Sequence, residues 1–157
     1  MKYSIIALFL LTCTCTYAQE QIGRDLATVR NSLKKAAGIP DTLKSQLQSS
    51  DSTVTLTLKN AAGNTVLTTV CSFNKKKICF EEKVSAPCAA CLTPWLESIL
   101  AEKTYGWKKI NEHQYISGFE HKMFLELPPE GEVSSFKIFR VEWTKEMYEI
   151  LKGSNVN

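Results

Sequence analysis

Residues 53–84 read TVTLTLKNAAGNTVLTTVCSFNKKKICFEEKV, and this stretch decides the fold. Its first part alternates strictly between threonine and aliphatic residues, with Val54, Leu56 and Leu58 on one side, as in a half-buried strand. Asparagine and glycine at 60–64 are typical of a turn. The second strand carries apolar residues on both faces, which indicates a central strand. The stretch predicts three consecutive antiparallel strands: residues 53–58, 65–73 and 78–84.

A helix is predicted before these strands, at residues 19–37. Its apolar side chains recur every three or four positions and form one stripe, which we expect to pack on the domain's own sheet: Ile22, Leu26, Val29 and Leu33. Gly38 is a typical residue after a helix C-terminus, and Pro40 prevents the helix from resuming. Residues 41–47 are expected to add only a short turn.

The rest of the chain repeats the order of a helix followed by strands. Thr93 as N-cap and Pro94 as first helical residue begin a helix at residues 92–104, and a short last helix follows Thr144. Strands are predicted between these helices: residues 107–110, 114–117, 122–127 and 135–143. We therefore expect residues 19–157 to form a single α+β domain, with an antiparallel sheet of about six to seven strands, two main helices packed on one face and a short C-terminal helix.

The N-terminus has the pattern of a secretory signal peptide over residues 1–18. A positive start precedes an apolar run, and Ala18 is a small residue before the cleavage point. The run is too short for a transmembrane helix, which needs about 20 apolar residues. A lipoprotein signal at Cys13 or Cys15 fits worse, because threonine precedes each cysteine where glycine or alanine is usual. The protein is therefore expected to be secreted or periplasmic, with no transmembrane segment after signal removal.

Export to an oxidising compartment makes the four remaining cysteines disulfide candidates. These candidates are Cys71, Cys79, Cys88 and Cys91. Four cysteines allow three connectivities, and their number alone does not choose between them. Zinc is disfavoured because its ligands come in closely spaced pairs, whereas Cys71 and Cys79 are eight positions apart. No metal or cofactor is expected.

The register of the hairpin over 65–84 bears on the first two cysteines. A two-residue loop in the lysine run would pair Phe73 with Ile78 and place apolar residues opposite each other. Cys71 would then face the core, and Cys79 would lie on the opposite face among charged neighbours. This register argues against a bridge between Cys71 and Cys79.

The segment Cys88-Ala89-Ala90-Cys91 suggests a second function class. A cysteine at the start of a helix can be stabilised as a thiolate, and a helix is predicted directly after this motif. Thiol oxidoreductases with this motif also place it in a βαβ unit, whereas the downstream segments here are predicted to be hairpins. A structural disulfide is the preferred interpretation.

No set of residues has the spacing of a catalytic site. His113 and His121 have no serine or cysteine at the spacing of a nucleophile-base motif. Two acidic pairs are interpreted as solvated surface: Glu81 with Glu82, and Glu130 with Glu132. Adjacent strand residues point to opposite faces, so the first pair cannot share a site. An enzyme is therefore not favoured.

The charge balance and exposed residues favour a binding protein. Nineteen basic against sixteen acidic residues give a net charge of +3, which is too mild for nucleic-acid binding. The candidate binding residues are Lys75, Lys76 and Lys77 at a hairpin tip, and Trp107. The leading hypothesis is a small exported, disulfide-containing protein that binds a protein or envelope component, or inhibits an enzyme. The alternative is a thiol–disulfide redox protein that uses Cys88 and Cys91.

Overall fold

The computed structural model describes residues 21–36, 43–129 and 134–153. The described residues form three helices: α1 (Leu26–Ala36), α2 (Ala89–Ala101) and α3 (Lys145–Gly153). They also form eight strands: β1 (Lys44–Ser49), β2 (Thr53–Lys59), β3 (Thr65–Phe73), β4 (Cys79–Ser85), β5 (Lys108–Asn111), β6 (Gln114–Ile116), β7 (Met123–Glu126) and β8 (Ser135–Arg140). Within this part of the chain, no helix is both long and apolar enough to cross a membrane. The predicted signal peptide and the Glu130–Glu132 pair lie outside the described residues.

The eight strands form one antiparallel sheet made of two meanders that meet in its middle. The strand order is β1-β2-β3-β4-β8-β7-β6-β5, and β4 pairs with β8 so that Glu82 lies opposite Ile138. A helix precedes each meander, α1 before β1 and α2 before β5. Helix α2 therefore carries the chain from the centre of the sheet to its far edge. The predicted α+β class with an antiparallel sheet is confirmed, but the predicted count of six to seven strands is wrong.

The additional strand is β1, in a segment where only a short turn was expected. Its sequence, KSQLQS, has low strand propensity and only one aliphatic residue. It forms the sheet edge by pairing along its whole length with β2, and Leu47 packs toward α1. Pairing with an existing strand, which the local sequence does not reveal, therefore makes this segment a strand.

The two main helices pack on the same face of the sheet, which we call the covered face. Val29 and Leu33 of α1 are buried among side chains from β2, β3 and β4. Leu92 and Ile99 of α2 are buried among side chains from β3, β4, β7 and β8. Ile22, just before α1, contacts both groups and joins them into a continuous core. Helices α1 and α2 therefore cover neighbouring parts of the same side of the sheet.

The short C-terminal helix lies on the opposite face. Tyr148 of α3 packs with Trp143 and with Ile116 of β6, and Phe124 of β7 borders this cluster. Phe124 alternates with Leu125, whose side chain belongs to the core beneath α2, so the two residues face opposite sides. The helices as a set therefore do not share one face.

A bulge in the β3–β4 hairpin changes the predicted register. The loop has three residues, with the Asn74 N–H donating to the Ile78 carbonyl at 3.0 Å and Lys77 in the left-handed region at φ 60°. Phe73 then pairs with Cys79 rather than with Ile78, and Phe80 is the extra residue of the bulge. The expectation that Cys79 faces away from the core is therefore wrong.

Candidate functional site

The face opposite the covered face is mainly polar across β1, β2, β3, β4 and β8, with apolar exceptions such as Val70 and Phe139, and we call this region the open face. Strand register aligns four hydroxyl side chains across it: Thr57, Thr68, Ser85 and Ser135. Helices α1 and α2 lie on the covered face, and α3 packs beside β6 and β7. No helix of the described residues therefore lies over the open face.

Two lysines face each other where the meanders meet. Lys83 of β4 pairs directly with Lys137 of β8. Lys137 Nζ lies 2.6 Å from Glu126 Oε2 and 5.3 Å from the centre of the Phe139 ring. The hydrogen bond with Glu126 raises the pKa of Lys137 and lowers that of Glu126. Among the described residues, no carboxylate lies within ion-pair distance of Lys83.

A cavity of about 420 Å³ opens beside these two lysines. Its polar lining comes from the lysines together with three further residues: His113, Glu126 and Ser135. Leu127, Pro128 and Pro129 contribute to the rest of the wall. The Leu127 N–H donates to the His113 carbonyl at 2.7 Å and fixes the β5–β6 turn against the end of β7. The site therefore combines basic and hydroxyl groups with one carboxylate that is already paired.

The binding residues predicted from the sequence do not come together. The lysine tip Lys75–Lys77 joins β3 to β4, whereas Trp107 precedes β5 at the far edge of the sheet. All three lysines of the tip are exposed, but Lys77 Nζ donates to the Asp51 carbonyl at 2.7 Å. Trp107 is half-buried against the core beneath α2. The structure instead brings together Lys83 and Lys137, which no sequence motif links.

Cys88 and Cys91 form an exposed disulfide at the start of α2. Cys88 is the N-cap of the helix, and its Sγ accepts a hydrogen bond from the Cys91 N–H at 3.1 Å. A helix N-terminus stabilises negative charge, so this position would favour a thiolate on Cys88 after reduction. The predicted helix start at Leu92 is three residues late, because the motif itself forms the first turn.

Glu82 is a fully buried acid, so its interpretation as solvated surface is wrong. Its side chain points to the covered face, and neither carboxyl oxygen has a hydrogen-bond partner among the described residues. Burial raises the pKa of this carboxyl well above its ordinary value. The alternation of side chains along β4 could have revealed this burial, because Glu82 is two residues before the buried Val84 and faces the same side of the sheet.

Cys71 and Cys79 are buried thiols beside Glu82. Both are fully buried and belong to the same core cluster beneath α1. The neighbouring Cys79 thiol, followed by burial, raises the pKa of Cys71. The described residues contain no group of three or more histidine, cysteine or acidic side chains placed to hold a metal ion. Comparisons with protein-family models, curated proteins and solved structures found no significant match.

Proposed function

We propose that this protein is a small exported binding domain whose open face recognises a partner through a negatively charged group. The observation that carries this proposal is the direct pairing of Lys83 and Lys137 at the mouth of a cavity. Like charges directly opposite each other on neighbouring strands are destabilising. An anionic group bound between them would reduce this repulsion, since Glu126 forms an ion pair with Lys137 and not with Lys83.

The surroundings of the two lysines support a polar, anionic ligand. Ser85 and Ser135 pair with each other two residues along the strands from the two lysines, and their hydroxyl groups can form hydrogen bonds with oxygen-rich groups. The proposed partner is an acidic envelope or extracellular component, and the positive net charge of the chain would speed its approach. The proposed location agrees with the signal peptide pattern at residues 1–18.

The proposal predicts that removing the two lysines weakens binding to an anionic probe. We expect the double substitution Lys83→Gln and Lys137→Gln to lower the affinity for a sulfated oligosaccharide by about tenfold or more, because each lysine contributes a charge-assisted hydrogen bond. Isothermal titration calorimetry at low ionic strength measures the effect, and added salt should weaken the wild-type binding.

A matched control removes the same charge elsewhere. The double substitution Lys75→Gln and Lys76→Gln changes two exposed lysines at the hairpin tip and should leave the affinity within about twofold of the wild type, because only non-specific attraction is reduced. Equal losses in the two double variants would show that the probe responds to net charge alone, and the proposed site would then be rejected.

Thiol–disulfide exchange is a second candidate function, favoured by the exposed Cys88–Cys91 bridge at a helix N-terminus. Exposed disulfides are more often labile than buried ones. However, α2 leads to the edge strand β5 of an antiparallel sheet, and the motif therefore lacks the βαβ unit typical of oxidoreductases.

For the binding proposal we expect Cys91→Ser to capture no partner. An oxidoreductase with a reactive Cys88 would accumulate mixed disulfides in this variant, because the resolving thiol is absent. Non-reducing gel electrophoresis of the exported fraction measures such adducts, and the double variant Cys88→Ser with Cys91→Ser is the control. Adducts that form with Cys91→Ser and are absent from the control would favour the redox function over binding.

A further inference from the structure

The β3–β4 hairpin places two thiols in contact inside the core. Cys71 lies on β3 and Cys79 begins β4, and the bulge at Phe80 turns Cys79 onto the covered face beside Cys71. Both side chains are fully buried in the same core cluster, and the two cysteines lie diagonally across the hairpin, because Cys71 pairs with Glu82 and Cys79 pairs with Phe73. The Cys79 Sγ also donates to the Glu81 carbonyl at 3.6 Å. The two sulfurs are therefore already neighbours in the folded chain.

We infer that Cys71 and Cys79 form a second disulfide in the mature protein, in addition to Cys88–Cys91. The oxidant is a disulfide, either glutathione disulfide or that of an exported oxidase. One cysteine thiolate attacks a sulfur of the oxidant and releases its first thiolate; the second cysteine then attacks the mixed disulfide and releases the other. The chain loses two protons and two electrons, and the oxidant becomes two thiols.

The other connectivities are excluded by the length of β4. Cys79 begins this strand, whereas Cys88 and Cys91 follow its opposite end at the start of α2. Seven residues in extended conformation span about 20 Å, and a disulfide requires Cα atoms within about 7 Å of each other. A bridge between the two cysteine pairs would therefore require the hairpin or α2 to leave its place.

The bridge must close before the covered face is complete. The segment before α1 pairs with the start of β4, where the Gly23 N–H donates to the Cys79 carbonyl and the Cys79 N–H donates to the Arg24 carbonyl, each at 2.8 Å. This segment, together with α1, buries both sulfurs, so a soluble oxidant cannot reach them afterwards. The hairpin is local in sequence and can form early, which allows oxidation during folding.

The lysine tip makes the pairing directly measurable. Trypsin cleaves after lysine, and Lys75, Lys76 and Lys77 separate the two cysteines, so digestion gives peptide 60–75 with Cys71 and peptide 78–83 with Cys79. Cys88 and Cys91 remain together in peptide 84–103. A non-reducing digest of the inferred connectivity therefore contains 60–75 joined to 78–83, whereas each of the other two connectivities joins all three peptides in one species.

The experiment refolds the reduced mature chain, residues 19–157, in a glutathione redox buffer, alkylates the remaining thiols under denaturing conditions and analyses the tryptic peptides by mass spectrometry. We expect 60–75 joined to 78–83, an internal bridge in 84–103, and loss of all four alkylation equivalents. Alkylated Cys71 and Cys79, or either of their peptides joined to 84–103, would overturn the inference. This test uses no ligand and no export step, so it is independent of the proposed function.

A second measurement uses burial as its readout and a variant that retains only the inferred pair. In the double variant Cys88→Ser with Cys91→Ser, refolding should still remove both alkylation equivalents. In the native wild type, a mild reductant should release the thiols of Cys88 and Cys91 while Cys71 and Cys79 stay protected until denaturant is added. Two free thiols in the refolded double variant would contradict the inferred bridge, as would equal reduction of both bridges in the native wild type.

Discussion

Phe136→Ala is expected to be among the most destabilising single substitutions in this protein, with a loss of about 3–5 kcal/mol in the free energy of unfolding. Phe136 is 1% exposed and lies on β8 opposite Val84 of β4, at the line where the two meanders meet. Its ring packs in the cluster that includes Leu92 and Ile99 of α2. Truncation leaves a cavity that adjoins both meanders and the helix that connects them.

Denaturant unfolding followed by circular dichroism measures this loss, and Phe80→Ala provides the same chemical change at an exposed site. Phe80 is 40% exposed on the bulge of β4, so its truncation should cost no more than about 1 kcal/mol. Trp95, which the sequence placed on the apolar face of α2, is half-buried, and its truncation should fall between these values. A Phe136→Ala midpoint within error of that of Phe80→Ala would show that the meanders do not depend on this contact.

The sequence predicted those elements whose local pattern matches their environment. Strands β2 and β3 alternate or run apolar as their burial requires. The helix at α2 was also predicted, but Thr93 as N-cap and Pro94 as first helical residue were wrong, because Cys88 is the N-cap and Pro94 lies within the helix. Strand β1 was missed because its pairing with β2, rather than its own side chains, makes it a strand. Trp143 was assigned to the last strand, but β8 ends at Arg140 and Trp143 packs on the opposite face beneath α3.

The orientation of Cys79 was missed for a different reason. Lys77 adopts a positive φ, a conformation in which glycine or asparagine is usual, so the lysine run gave no signal for a three-residue loop. One additional loop residue, combined with the bulge at Phe80, moved Cys79 to the covered face. A single residue in the loop changes the register of a hairpin. Pairing apolar residues across the two strands therefore led to the wrong choice, a two-residue loop.

The candidate binding site could not be predicted from local sequence at all. Lys83 and Lys137 belong to different meanders, and they meet only because β4 pairs with β8. Each lysine alone looks like an ordinary exposed strand residue. The residue pattern of each strand does not show which distant strand it pairs with, and the site depends on that pairing.

Glu82→Leu is expected to raise the free energy of unfolding at neutral pH, by on the order of 1–3 kcal/mol. The native carboxyl is fully buried without a hydrogen-bond partner among the described residues, so folding removes it from water with no compensation. Leucine has a similar volume and suits the apolar neighbours Ile138 and Val84. Glu81→Leu is the matched control, because Glu81 lies on the open face and is half-exposed, and its substitution should change stability by no more than about 0.5 kcal/mol.

The pH dependence identifies the buried acid as the cause of any gain. Burial raises the pKa of Glu82 in the folded chain, so the native state retains a proton that the unfolded state releases once the pH exceeds the ordinary carboxyl pKa. In that window the wild type loses up to about 1.4 kcal/mol of stability per pH unit from this group, until the pH passes the folded pKa. The advantage of Glu82→Leu over the wild type should therefore grow as the pH rises above the ordinary carboxyl pKa of 4.5 into the neutral range. Glu82→Gln, which retains a polar side chain but cannot titrate, should remove the same slope with a smaller gain. A constant difference across this range would mean that Glu82 is ionised in the folded protein and reaches water or a cation.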